Sequence, residues 1–125
     1  MRAIERQITQ QRLLDDAVEL HRRGSLDAAQ SRYKAMLDDN PDDPTVLDLL
    51  STLCRQREDH DAALKLSRRA SSISPESWLY TFNLGECCRA NSLFDEAIGA
   101  YQRSLKLRND LSAIYLGLGQ AFIEK

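Results

Sequence analysis

Glycine and proline are scarce in this chain of 125 residues, at five and three, and aromatic residues make up only 6% of it. A β-sandwich or barrel needs turn residues and β-formers at short intervals, so this poverty argues against an all-β domain and for helices. Cysteine is limited to Cys54, Cys87 and Cys88. An odd count without a secretion signal suggests reduced thiols in a cytosol. Positive charge is not in excess: 17 Lys and Arg face 19 Asp and Glu, for a net charge of -2. A general nucleic-acid binder carries a basic footprint, and none is present overall. No apolar run reaches membrane-spanning length. The opening residues, MRAIERQITQQR, are too polar for a secretory signal. The expectation is a bacterial, cytoplasmic protein with neither nucleic acid nor membrane insertion. What the chain does have is 42% hydrophobic and 29% charged residues. That is too apolar for disorder and enough for one domain with a modest core.

It also has a repeat. LFDEAIGAYQRSLKL (Leu93 to Leu107) echoes SLDAAQSRYKAML (Ser25 to Leu37), with Asp27, Ala29 and Tyr33 each 68 residues before Asp95, Ala97 and Tyr101. Half that offset, 34, holds along most of the chain without an insertion. Ala29, Ala63 and Ala97 align, as do the small residues Ala17, Ser51, Gly85 and Gly119. Leu50, Leu84 and Leu118 align, with Asp16 as the exception. Leu20, Cys54, Cys88 and Phe122 fill one buriable slot, and Pro41 and Pro75 align with Asn109. Each unit reads as a helix pair whose small residues let two backbones approach, and one pair alone cannot bury its apolar face. The breaks agree. RRGSL places Gly24 after a helix and Ser25 as N-cap; RANSL offers Asn91 for the same left-handed turn. DNPDDP stops one helix and starts the next with Asp43 as N-cap and Pro44 in the first turn. REDHD has no glycine, although Asp59 can cap the helix after it. Seven helices are predicted, at about 4–22, 26–38, 44–56, 60–73, 77–90, 94–107 and 112–124.

On these residues, the small positions and alanines together with Leu84-Gly85, Tyr33, Tyr101, Ala70, Pro41 and Pro75, the chain resembles tetratricopeptide repeat (TPR) proteins. The resemblance implies an all-α, right-handed superhelical solenoid of antiparallel helix pairs. Residues 1–9 form a helical extension, 10–43, 44–77 and 78–111 three repeats, and 112–125 the first helix of a fourth. Asp16, Ser67 (against Tyr33 and Tyr101), Ser104 and Asn109 depart from the pattern. Asp16 suggests a first repeat that either packs loosely or acts as an N-cap unit. The family binds peptides or partner proteins in a concave groove lined by the first helices, without catalysis. Carried onto this chain, that groove holds Asp15 and Arg22, then Asp48, Thr52 and Arg55, then Phe82, Asn83, Glu86 and Arg89, with Leu116, Gly117 and Gln120 from the last helix. One subclass clamps chaperone C-termini; its positions here hold Leu14, Val18, Leu49, Leu79 and Asn83, of which only Asn83 fits, so that reading is rejected. His21, Arg55 and Arg89 are 34 apart and could form a basic stripe opposite Asp48 and Glu86. The simpler account, favoured here, is that arginines near helix C-termini offset the macrodipole and are solvated.

No catalytic, metal or cofactor site is expected. Cys87 and Cys88 point about 100° apart on a helix, no histidine is suitably spaced, and Cys54 and Cys88 occupy a core slot. No nucleophile set, phosphate loop or zinc spacing is present. Ile114, Leu118 and Phe122 on the last helix would be buried by a second helix, and nothing follows Lys125. Either the chain is cut from a longer protein, the favoured account, or this face pairs with another copy. Three functions are open: a protein-interaction module, the accessory array of a larger bacterial glycosyltransferase, sulfotransferase or methyltransferase, or a self-assembling scaffold.

Overall fold

A computed structural model describes residues 2–125. Seven helices follow one another: α1 (Arg2–Arg22), α2 (Leu26–Asp39), α3 (Pro44–Gln56), α4 (His60–Ile73), α5 (Trp78–Ala90), α6 (Phe94–Leu107) and α7 (Ser112–Glu124), with no strand among the described residues. Each packs on the next. α3 also touches α5, and α5 touches α7, so the first helices of successive pairs share one face. This is an all-α repeat solenoid.

The aligned alanines are the reason the pairs close. Ala29, Ala63 and Ala97 are fully buried, as is Ala17, and Ser51 is 1% exposed. A larger side chain at any of these crossings would drive the axes apart. Buried aliphatics such as Val46, Leu50, Leu53 and Leu64 fill the spaces between, each contributing roughly 1.5–3 kcal/mol on full burial.

The turns repeat as the helices do. Gly24, Glu58 and Ser92 take left-handed backbone, with φ of 84°, 63° and 59°, and lie 34 apart. In each turn the next residue's N–H returns to a carbonyl five residues back: Ser25 to Leu20, Asp59 to Cys54, Leu93 to Cys88. This closure demands the left-handed residue even where glycine is absent. Asn91 therefore does not take the role its type suggested. It ends α5 at φ -95°, and its Nδ2 donates to Cys87 O (2.8 Å) and His60 O (3.0 Å), tying two repeats together. Asp43 caps α3, accepting from Thr45 N at 3.1 Å and Val46 N at 3.5 Å, with Pro44 in the first turn. Asp59 accepts from Ala62 N. Ser77 accepts from Tyr80 N, so it is the cap of α5 and not its first residue. Ser25 sits at the N-cap position without such a bond.

The two ends differ from the middle. α1 buries only Ala17 fully and leaves Asp16, Ile4 and Ile8 exposed. At the other end Ile114 does not belong to the free face: it is fully buried, along with Ala121, where α7 lies on α6 and α5. Leu118 is half-buried against the core. The exposed apolar residues of α7 are Tyr115, Leu116, Phe122 and Ile123, the last at 80%.

Candidate interaction groove

The residues proposed for the groove divide into three groups. Asp15 and Arg22 on α1 are exposed and bonded only within their helix: Asp15 accepts from Gln11 Nε2 at 2.9 Å, and Arg22 pairs with Glu19 at 2.6 Å. The second group faces inward. Asp48 and Asn83 are 5% and 8% exposed, and Asn83 Nδ2 donates to both Asp48 carboxylate oxygens at 2.9 and 3.0 Å. They brace α3 against α5 and are covered, a correction to their placement as groove contacts. Burial pushes the Asp48 carboxyl above the ordinary carboxylate range, against the opposing pull of the Asn83 bond and of Arg55. Thr52 is half-buried and donates to Asp48 O in its own helix.

The third group converges on one network of hydrogen bonds and ion pairs. Glu86 of α5 accepts from the Tyr101 hydroxyl at 2.6 Å. Arg55 of α3 and Arg89 of α5 approach its other oxygen at 3.5 Å each. Arg89 Nε also donates to Tyr101 Oη, and its Nη1 reaches Glu124 of α7, both at 3.3 Å. The acid and base expected on opposite sides of the groove are thus joined in one network. Burial first, then the bond to Glu86, holds the Tyr101 phenol well above its ordinary value, so it stays a donor. Beside this network a cavity of about 240 Å³ opens between α5 and α7, lined by Phe82, Glu86, Arg89, Ala113, Leu116, Gly117 and Gln120. Phe82 packs on Tyr101, with ring centroids 6.0 Å apart. Gly117 is required here, because a Cβ on it would stand 2.6 Å from the Tyr101 ring.

His21, at the head of the 34-residue series, meets the Tyr33 hydroxyl at 3.1 Å and Gln56 at 2.5 Å, so it belongs to an inter-repeat contact and not to a stripe. Larger clefts of about 600 and 620 Å³ lie elsewhere. The first is crossed by Arg57, already paired with Asp27 at 2.6 Å and Gln30 at 2.9 Å. The second lies under the α1 extension, beside Arg6, Gln7 and Gln10. The cysteines are all buried and free. Burial lifts the Cys88 thiol to about 11, which leaves it protonated and unreactive at neutral pH. Trp78 is half-buried; its ring carries Arg108 at 4.8 Å and its carbonyl accepts from Ser104 Oγ. The sequence reading missed Tyr101 as the organiser of the site. A signal was there: Arg89 precedes Tyr101 by the same 12 residues that separate His21 from Tyr33.

A stack of helices in which each packs on the next, and α5 touches both α3 and α7, defines an α-solenoid. The tetratricopeptide repeat family model matches residues 14–72 and 66–112. The chain belongs to the tetratricopeptide repeat family. It is similar to an O-GlcNAc transferase of Thermobaculum terrenum, at 30% identity and a TM-score of 0.85, over 92% of this chain but 22% of that one. The chain therefore spans about a fifth of that protein. It is similar in fold to the first TPR of Spaghetti bound to an HSP90 peptide (17% identity, TM-score 0.86, 91% and 90% of the two chains). The Sgt2 TPR domain of Aspergillus fumigatus is alike to the same degree (17%, 0.85, 93% and 78%). No curated protein matches the sequence. Repeats of this family generally mediate protein–protein interaction. Among the described residues no helix is long and apolar enough to cross a membrane.

Proposed function

We propose that the chain is a non-catalytic module that takes an extended segment of a partner protein along the face shared by α3, α5 and α7. The cavity between α5 and α7 carries this reading. Its apolar wall, Phe82, Leu116 and Ala113, suits an aliphatic or aromatic side chain, and Gln120 and Arg89 at its rim suit the polar groups of the neighbouring peptide units. The Spaghetti domain's chaperone peptide does not carry over, since the clamp positions here hold Leu14, Val18, Leu49 and Leu79. A displayed peptide library selected on the chain, followed by calorimetric titration of the enriched peptide, tests the reading. Phe82→Ala and Leu116→Asp should each weaken binding at least about tenfold, and Arg22→Ala should leave it unchanged. Equal loss in all three, or none, contradicts it.

A second reading is favoured by the similarity to the O-GlcNAc transferase: the array serves a larger enzyme. Reading the gene beyond Lys125 tests it. A transferase domain supports the accessory role, and a stop codon contradicts it. The exposed Leu116, Phe122 and Ile123 favour a third, pairing of two copies through α7 beside the half-buried Leu118. Light scattering over a concentration series should then show a dimer that Phe122→Glu abolishes; a monomer at every concentration contradicts it.

A further inference from the structure

The outward face of α7 has a pattern of its own. Gly117 turns inward, where a Cβ would stand 2.6 Å from the Tyr101 ring, and Gly119, two residues on, points about 200° away from it. Nothing lies within 4 Å of a Cβ built on Gly119, whereas one on Gly85, its counterpart 34 residues earlier, would meet that ring at 2.7 Å. The helix face that α6 covers on α5 is therefore uncovered on α7. Thr81 and Cys88 of α5 are each 1% exposed; Tyr115 and Phe122, at the same register positions of α7, are 51% and 54% exposed. Large apolar residues flank Gly119 at matching offsets: Tyr115 and Leu116 lie four and three before it, Phe122 and Ile123 three and four after. Such offsets share one helix face. No charged residue occurs from Ser112 to Ile123. The Tyr115 hydroxyl already donates to Asn109 O at 2.9 Å, so covering its ring strands no donor. Glu124 and Lys125, which follow, are turned to Arg89 and Asp95.

We infer that a second copy of the chain covers this face, its α7 lying antiparallel on the first and crossing it at Gly119. This geometry rests on the reading in which two copies pair, and it specifies how. A two-fold interface must be complementary to itself, and this face is. An antiparallel crossing at Gly119 sets each residue against one about as far beyond the glycine as it lies before it. Tyr115 then meets the partner's Phe122, and Leu116 meets the partner's Ile123. Aromatic faces aromatic on one flank, and aliphatic faces aliphatic on the other. Gly119 has no side chain to hold the axes apart, so they close to the short end of helix–helix distances, about 8 Å. Leu116 also walls the cavity between α5 and α7, so a copy seated here covers one wall of that cavity.

Light scattering over a concentration series, followed by oxidative cross-linking of added cysteines, tests this on the whole chain, whose own cysteines are buried. Wild type should dimerise as its concentration rises, and Leu116→Asp should remain monomeric. Under copper–phenanthroline, Gly119→Cys should link to itself. Tyr115→Cys should link to Phe122→Cys when the two are mixed, and not to itself. A wild-type monomer at every concentration overturns the pairing and this geometry together. A wild-type dimer in which either link fails to form, or in which Tyr115→Cys links to itself as fast as to Phe122→Cys, leaves the pairing in place and overturns the geometry.

Discussion

The first and third repeats occupy equivalent places in one solenoid and present opposite surfaces to the groove. In the first, Asp15 and Arg22 end in solvent and bond only along their own helix. In the third, Glu86 and Arg89 are drawn into contacts from α3, α6 and α7, beside a cavity. The difference comes from the neighbours. Arg89 has Tyr101 and Glu124 within reach, while α1 has no helix before it in the described structure and buries Ala17 alone. A repeat dictates where a side chain starts; the adjoining helices decide whether it becomes a site.

The sharpest way to break the contrast is to fill the close approach behind the cavity. Gly117→Ala places a Cβ 2.6 Å from the ring of fully buried Tyr101. It should lose about 1–3 kcal/mol in denaturant unfolding. Gly119→Ala, on the same helix with nothing in its way, should gain up to about 1 kcal/mol. Next in size, Tyr101→Phe removes the phenol that Glu86 and Arg89 share and should cost about 1–3 kcal/mol, since the part-buried Glu86 carboxylate loses the shortest of its three contacts. Tyr33→Phe, which deletes a single contact to His21, should cost less by the same assay.

Asp48 sharpens the comparison through pH. Its carboxyl is raised by burial, so the native state holds that proton more tightly than the unfolded chain does. The charged form therefore weighs against folding at neutral pH. That penalty is relieved as pH falls through the folded pKa towards the ordinary carboxylate range. Asp48→Asn should flatten this part of the stability curve. Its stability relative to wild type should be more favourable at pH 7 than at pH 4, measured by urea unfolding at both. The smallest effects belong to the first repeat. Asp15→Ala and Arg22→Ala remove exposed contacts and should shift stability by no more than about 0.5 kcal/mol.

Much of the fold was legible because its determinants are local and recur. The 34-residue register located every helix to within two residues, and Asp43 and Asp59 cap as their types suggest. Where one residue type was used as a signal in isolation, the reading failed. Asn91 was assigned the left-handed turn that Ser92 takes, because the closing bond to Cys88 O fixes the position by count and not by side-chain preference. The groove was only half legible. Periodicity brings Asp48 and Asn83 to the shared face, but their hydrogen bonds across 35 residues turn them inward. Ile114 shows the same limit at the end of the chain: its spacing places it with Leu118, while packing on α5 and α6 covers it completely.

The account stands or falls on where a partner peptide sits. Backbone amide shifts of the isotope-labelled chain, followed during titration with the peptide enriched by display, would map it directly. The account expects the largest changes at Phe82, Arg89, Gly117 and Gln120 on α5 and α7. Changes confined to α1, or to the exposed Lys65 and Arg69 of α4, would contradict it.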